Sequence, residues 1–273
     1  MIVGRALALC ALIALGGPAI AQGSSVRLYA AGSLRAVMTE IGAAFARDTG
    51  IAVNGEFGAS GTLRERLMKD EPAEVFASAN MEHPQSLAQS GRAGPVVLFA
   101  RNRLCALVAP GLPVNTANLL ERMLDARTKL GTSTPKFDPS GDYAWQVFER
   151  AERLRPGAYA TLSGKALKLT GAPDSPPPPK DRSLYGKLVS ERKADIFLTY
   201  CTNALLAQKE KSSLQVVALP EALAVGADYG LTVLNRAGAA ASRFALFVMS
   251  VRGQEILARH GFSAPALPSK EKS

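Results

Sequence analysis

The chain has 273 residues, 47% of them hydrophobic and 20% charged, which exceeds what one compact core usually holds and makes two domains the expectation. Its 32 Lys and Arg against 23 Asp and Glu leave a net charge of +9, a balance that suits nucleic acid, anionic lipid or an anionic small ligand. The basic residues are scattered rather than clustered, so they read as a solvated surface that at most steers anions, and no later segment is apolar for long enough to span a bilayer.

The first element is an export signal. Arg5 is followed by an apolar run from Ala6 to Leu15, by Gly16, Gly17 and Pro18, and by the small-residue pattern Ala19-Ile20-Ala21, which predicts a signal peptide over 1–21 cleaved before Gln22. The run falls short of the roughly 20 apolar residues that a membrane anchor needs. Cys10 does not read as a lipoprotein cysteine, because Leu9 stands where a small residue is required. Removal of Arg5 with the leader lowers the charge to +8. The mature chain is expected to be periplasmic, which argues against a nucleic-acid partner.

Residues 26–31 read as a buried strand, punctuated by Gly32-Ser33 before a helix. In that helix Leu34, Val37, Met38, Ile41 and Phe45 recur at helical spacing, and Asp48-Thr49-Gly50 ends it. A second strand over 51–57 leads through Gly58-Ala59-Ser60-Gly61 to a short helix with Leu63 and Leu67 on one face, and 75–79 is a third strand. The pattern continues with a strand over 104–108, a helix over 116–126, a strand near 129–131 and a helix after Pro139-Ser140-Gly141. Residues 171–182 hold four consecutive prolines and must form an exposed extended loop. Then come a helix over 184–192, a buried strand over 196–200, a helix over 203–208, strands at 216–219 and 230–234, and helices over 240–249 and 252–260. Strands alternating with helices imply parallel pairing and an α/β architecture.

Twice a strand delivers a serine, Ser33 and then Ser60, to the start of a helix. First-turn N–H groups and the helix dipole make such a start an anion site without any ionised side chain. In a parallel sheet both starts face one crevice. The alternative is that each serine only caps its own helix, and Thr62 with Glu65 offers a capping-box match beside Ser60.

Signals of catalysis are weaker. Gly58-Ala59-Ser60-Gly61-Thr62 lacks the closing glycine of a nucleophile elbow, and a base for Ser60 would have to be His83 or His260, the two histidines of the chain. That scarcity, with no Cys-x-x-Cys, argues against a transition-metal cation site. There is no phosphate-binding P-loop and no dinucleotide fingerprint.

The runs Ala30-Ala31-Gly32-Ser33-Leu34, Phe57-Gly58-Ala59-Ser60-Gly61-Thr62-Leu63 and Pro72-Ala73-Glu74-Val75-Phe76-Ala77-Ser78-Ala79-Asn80 carry a resemblance, as does Phe99-Ala100-Arg101-Asn102-Arg103-Leu104. Asp138-Pro139-Ser140-Gly141-Asp142-Tyr143-Ala144, Asp195-Ile196-Phe197-Leu198-Thr199-Tyr200 and Gly253-Gln254-Glu255-Ile256-Leu257 extend it over nearly the whole mature chain. With these motifs the sequence resembles the periplasmic molybdate-binding proteins of ABC importers. The resemblance implies a two-lobe periplasmic-binding-protein fold, each lobe a mainly parallel sheet flanked by helices, closing on a ligand in the interlobe cleft. Lobe 1 would be discontinuous, 22–103 plus 225–273, with lobe 2 at 104–224.

Residue by residue, the resemblance carries hydroxyl ligands onto Ser33, Ser60 and Tyr200 and a backbone N–H ligand onto Ser140, with one more N–H at the helix start near Arg182 or Ser183. Three residues depart from the family pattern. Glu74 stands where aspartate is usual, and Ser140 where alanine is common. Asp142 puts a carboxylate near the presumed site, read as an outward first-turn helix charge. The implied function is capture of molybdate or tungstate and delivery to an ABC-transporter permease, by a monomer without cofactor, cation or catalysis. A site made of donors suits a fully deprotonated dianion. Sulfate or a small organic anion is the alternative ligand, and a secreted serine hydrolase using Ser60 is the rival from another class.

Cys105 and Cys201 remain after cleavage, and in an oxidising compartment a disulfide and two buried thiols are both open. On the implied lobes, Cys105 lies in the strand entering lobe 2 and Cys201 follows the 196–200 strand. Both then sit near the sheet end facing the hinge, and one disulfide is expected.

Overall fold

The computed structural model describes residues 25–177, 179 and 182–265. The expected signal peptide, its cleavage point at Gln22 and Cys10 lie outside the described residues.

The chain begins with β1 (Val26–Ala31), α1 (Arg35–Thr49), β2 (Val53–Gly58), α2 (Ser60–Met68), β3 (Val75–Ser78) and α3 (Glu82–Gln89). A long strand β4 (Val97–Val108) leads to α4 (Leu119–Leu124), β5 (Leu130–Ser133), α5 (Pro139–Leu154), α6 (Ala158–Lys165) and β6 (Leu167–Thr170). Then come α7 (Leu184–Ser190), β7 (Ile196–Tyr200), α8 (Cys201–Glu210), β8 (Gln215–Ala218), β9 (Gly226–Val233), α9 (Ala239–Met249) and α10 (Val251–Arg259).

The apolar spacing read in the sequence is the buried face of α1, with Val37, Met38, Ile41 and Phe45 all but inaccessible. The helix stops at Gly50, which adopts φ 73° and returns its N–H to Ala46 O at 2.9 Å, a left-handed cap that glycine enters without steric penalty. Phe45 packs edge-on against Phe244 and Phe247 of α9, with ring centroids 5.3 and 5.5 Å away. Residues two hundred positions apart thus share one core. Gln254 of α10, fully buried, donates to Phe99 O at 3.0 Å and ties the last helices to β4 as well.

The strands form one continuous sheet in the order β2-β1-β3-β9-β4-β7-β5-β6, with β8 also on β4. β1 runs parallel to β2 and β3, and β5 parallel to β6 and β7. Between these groups pairing is antiparallel. β4 pairs with β9 over Val97–Arg103 and with β7 and β8 over Leu104–Val108, so it passes from one half of the sheet to the other near Arg103. The sheet is therefore parallel in its outer strands and antiparallel where β4 and β9 connect the halves.

The expected 104–108 strand is only the second part of β4. Its first part carries Arg101, Asn102 and Arg103, which blunt the apolar signal. The expected 116–126 helix shrinks to α4, because Asn115 and Asn118 fold the residues before it into a side-chain-bonded turn. α3, α6 and β6 had no sequence expectation. β6 is an edge strand, largely exposed, and shows no apolar run.

Candidate functional site

The parallel groups bring their C-terminal ends to a common cavity of about 530 Å³. Ser33, Ser60, Ser183 and Tyr200 all line it.

Ser33 sits in a single 3-10 turn between β1 and α1. Its Oγ lies 3.0 Å from the Tyr229 hydroxyl, which also receives Asn102 Nδ2 at 3.4 Å. Ser60 opens α2, fully buried, and its Oγ accepts the N–H of Ala79 at 3.1 Å. Its own hydrogen can then be donated into the cavity. Neither serine caps its helix, since no side-chain cap bond forms at the start of α1 or α2. The Thr62 hydroxyl is buried without a partner, so the capping box does not form. Both serines are instead tied to neighbouring chain segments, Ser33 to Tyr229 within β9 and Ser60 to the residue after β3.

The N–H groups at the start of α2 are not all open to a ligand. Gly61 N–H donates to Phe137 O at 2.8 Å, joining α2 to the loop before α5. An added Cβ at Gly61 would fall 2.4 Å from Lys136 O and 2.7 Å from Phe137 O, so only glycine permits this approach.

On the facing wall, Tyr200 is buried and its hydroxyl reaches Ala79 O at a long 3.4 Å. Burial first, then the neighbouring Tyr229, Asp138 and Tyr143, push its phenol well above the usual range. It is a neutral donor. Cys201 follows it directly and is joined to Cys105 by a disulfide, with the two Cα atoms 4.8 Å apart. The cross-strand pair Leu104 and Tyr200 lies alongside, so the bond clamps the end of β7 to β4.

The two backbone N–H groups expected to meet an oxyanion are both held by carboxylates. Ser140 N–H donates to Asp138 Oδ1 at 3.0 Å, and Ser183 N–H to Glu210 Oε2 at 2.7 Å. Ser140 is buried, its hydroxyl has no partner, and it does not line the cavity. Asp138, the N-cap of α5, lines it instead. Ser183 keeps its place in the wall as the N-cap of α7, its Oγ accepting from Gly186 N–H at 3.2 Å.

Asp142 turns away from the cavity, and its Oδ1 accepts Lys136 N–H at 2.8 Å. Glu74 braces the frame: it accepts from Arg27 N–H at 2.9 Å and Gly238 N–H at 3.3 Å. Neither histidine lines the cavity that holds Ser60. His83 on α3 is pushed down to about 4 by burial and then by Arg64, while His260 pairs with Glu40 at 2.7 Å. Among the described residues no group of three or more His, Cys, Asp or Glu is placed to hold a metal ion.

Sequence reasoning missed Arg35 and Asp138. Arg35 lines the cavity, with its guanidinium stacked 4.9 Å from the centre of the Phe57 ring. Asp138 could have been found, because Asp-Pro ahead of a helix reads as an N-cap followed by proline at the first position. Of the described residues of the proline-rich loop, Pro173, Asp174, Pro176, Pro177 and Arg182 are exposed, and Pro173, Pro176 and Pro177 also form one wall of the cavity.

The family profile for bacterial extracellular solute-binding proteins matches residues 26–263. This chain belongs to that family. The solute-binding chain is 34% identical over 211 residues to an uncharacterised protein of Pasteurella multocida, covering 77% of this chain and 87% of the relative. It is 28% identical over 245 residues to the molybdate-binding protein ModA of Mycobacterium tuberculosis, covering 88% and 85% of the two. Among solved structures, the sulfate-binding protein SubI of Mycobacterium tuberculosis superposes with a TM-score of 0.74 at 18% identity, over 88% of this chain and 87% of that one. The family is one of solute-binding proteins, and the fold is shared with such neighbours.

Proposed function

We propose that this chain is a periplasmic receptor that binds a tetrahedral oxyanion, molybdate or tungstate, and hands it to an ABC-type import permease. The leader 1–21 would be removed before Gln22. Residues 22–103 plus 225–273 would form one lobe and 104–224 the other, with the ligand between Ser33 and Ser60 on one side and Tyr200 and Ser183 on the other.

The observation that carries the reading is the meeting of three hydroxyls, Ser33, Ser60 and Tyr200, in one cavity without a histidine base. Hydroxyls anchored by other bonds are preorganised donors, each worth about 1.5 to 3 kcal/mol toward a charged ligand. The molybdate-binding relative favours molybdate, and Arg35 in the wall supplies a fixed positive charge for a dianion. A second reading, sulfate, is favoured by the sulfate-binding structural neighbour. A small organic anion is favoured by the cavity, whose 530 Å³ and prolyl wall leave room for carbon as well as oxygen.

Calorimetric titration of the exported protein with molybdate, tungstate, sulfate and phosphate tests the reading. Tight binding of the first two is expected. Binding of sulfate alone, or of an organic anion alone, would overturn the choice of ligand. Turnover of an activated ester that disappears in Ser60→Ala would overturn the receptor reading itself.

A further inference from the structure

The cleft contains an acceptor where a pure anion site would have only donors. Asp138 lines the same cavity as Ser33, Ser60 and Tyr200, and its Oδ1 holds the Ser140 N–H at 3.0 Å. Glu210, the other carboxylate in the wall among the described residues, is exposed and can swing into water. Asp138 cannot. Gly171 packs against it so closely that an added Cβ there would lie 2.6 Å from Asp138 Cβ. A dianion entering this cleft meets a carboxylate that is fenced in place. Like charges so close cannot both stay ionised, and a proton resolves the conflict.

We propose that Asp138 makes the cleft take up its anion together with one proton, shared between the carboxyl group and an anion oxygen, so that this residue sets which protonation state of an oxyanion is bound. The inference rests on the oxyanion reading above. Its balance is simple: one proton leaves bulk water, one carboxyl O–H forms, and no other bond is made or broken. A fully deprotonated tetraoxoanion draws the proton from solution, whereas a hydrogen oxyanion brings it along.

The surroundings agree. Burial pushes Asp138 up to about 6, the bond from Ser140 N–H and the nearby Ser133 hydroxyl pull it back, and the charge of Asp142 on the same helix adds to the rise. From the elements packed around it, Tyr185 of α7 and Tyr200 of β7 face it as neutral phenols, both raised mainly by burial and further by Asp138. Among the described residues, Arg35, Arg182 and Glu210 are the other charged groups of the cavity wall. A bound dianion raises the carboxyl further, so between about pH 6 and the higher bound value each binding event takes up a proton. Affinity for a dianion then rises as pH falls and levels off below about pH 6.

The test is calorimetry of the whole exported chain with sodium molybdate from about pH 6 to about pH 8, in buffers of different ionisation heat. The parent protein should take up about one proton and lose affinity about tenfold per pH unit above about pH 6. Asp138→Asn keeps a good N-cap residue at the start of α5. It should take up no proton, lose the pH dependence and bind at least about tenfold tighter than the parent at about pH 8. Asp138→Ser, also a good N-cap, repeats the measurement if the Asn variant does not fold. Proton-free, pH-independent binding in both parent and variant overturns the proposal. If only hydrogen phosphate binds and Asp138→Asn abolishes it, the choice of molybdate falls and the role of Asp138 stands. If no anion binds at any pH, both fall.

Discussion

The two walls of the cleft are built on different principles. The wall from β1, β2 and β3 presents hydroxyls, Ser33 and Ser60, each tied to another segment by a bond of about the usual length and with Arg35 beside them. The wall from β5, β6 and β7 presents the Asp138 carboxyl that holds the Ser140 N–H behind it, a Ser183 N–H held by Glu210, a long-bonded tyrosine hydroxyl and a disulfide clamp. The first is ready for an anion as it stands. The second must release something, a proton or a side chain, before it offers the same, so selectivity is expected to reside in the second wall and basal affinity in the first.

The strongest way to break the comparison is to unclamp the second wall. The Cys105–Cys201 disulfide spans 96 residues of sequence, and closing a loop of that size stabilises by roughly 4 to 5 kcal/mol in the chain-entropy model. Paired Cys105→Ser and Cys201→Ser substitutions should lower the urea midpoint accordingly. An unchanged midpoint would mean that the bond adds nothing to the clamp, and two alkylatable cysteines in unreduced exported protein would mean that it is not formed.

Next comes the first wall. Ser33→Ala and Ser60→Ala should each weaken molybdate binding by about 1.5 to 3 kcal/mol with the fold retained. Parental affinity in both variants, measured by calorimetry, would place the ligand elsewhere.

The junction between the walls is slightly less costly to disturb. A methyl at Gly61 would meet Lys136 O and Phe137 O within van der Waals distance, so Gly61→Ala should push the walls apart and weaken binding by about 1 to 3 kcal/mol. Small-angle scattering would then show a more open particle. An unchanged profile with full affinity would mean that the Gly61 contact plays no part in closing the cleft.

The smallest effect serves as a control. Glu40, largely exposed, is held below the usual carboxylate range first by its hydrogen bond from His260 and then by Arg259. Because its folded value is lowered, the stability it contributes is present above the ordinary carboxylate range and is lost as pH falls through the depressed folded value. Exposed pairs contribute little. Glu40→Gln should cost under about 1 kcal/mol in thermal unfolding and leave anion binding unchanged. A change in affinity would show that the outer face of the first wall couples to the cleft.

Helical spacing from Leu34 to Phe45 and the buried run Ile196 to Tyr200 made α1 and β7 legible in the sequence, because the periodicity of the one is local and the burial of the other is complete. Ser33 and Ser60 were legible for a related reason: a strand followed by serine and a helix start is a contiguous signal. β6 and the first part of β4 were not, since an exposed edge and a polar stretch pair through backbone bonds that any side chain permits. Chain-local patterning thus determined the α/β class, most of the elements and the two serines of the first wall. Tertiary structure alone decided that Ser33 meets Tyr229 across 196 residues, that Ser140 yields its place in the wall to Asp138, and that β4 and β9 turn a parallel pattern into a mixed sheet. A hydrogen-bond partner is chosen by distance in space, and a one-dimensional pattern carries spacing along the chain but not that distance.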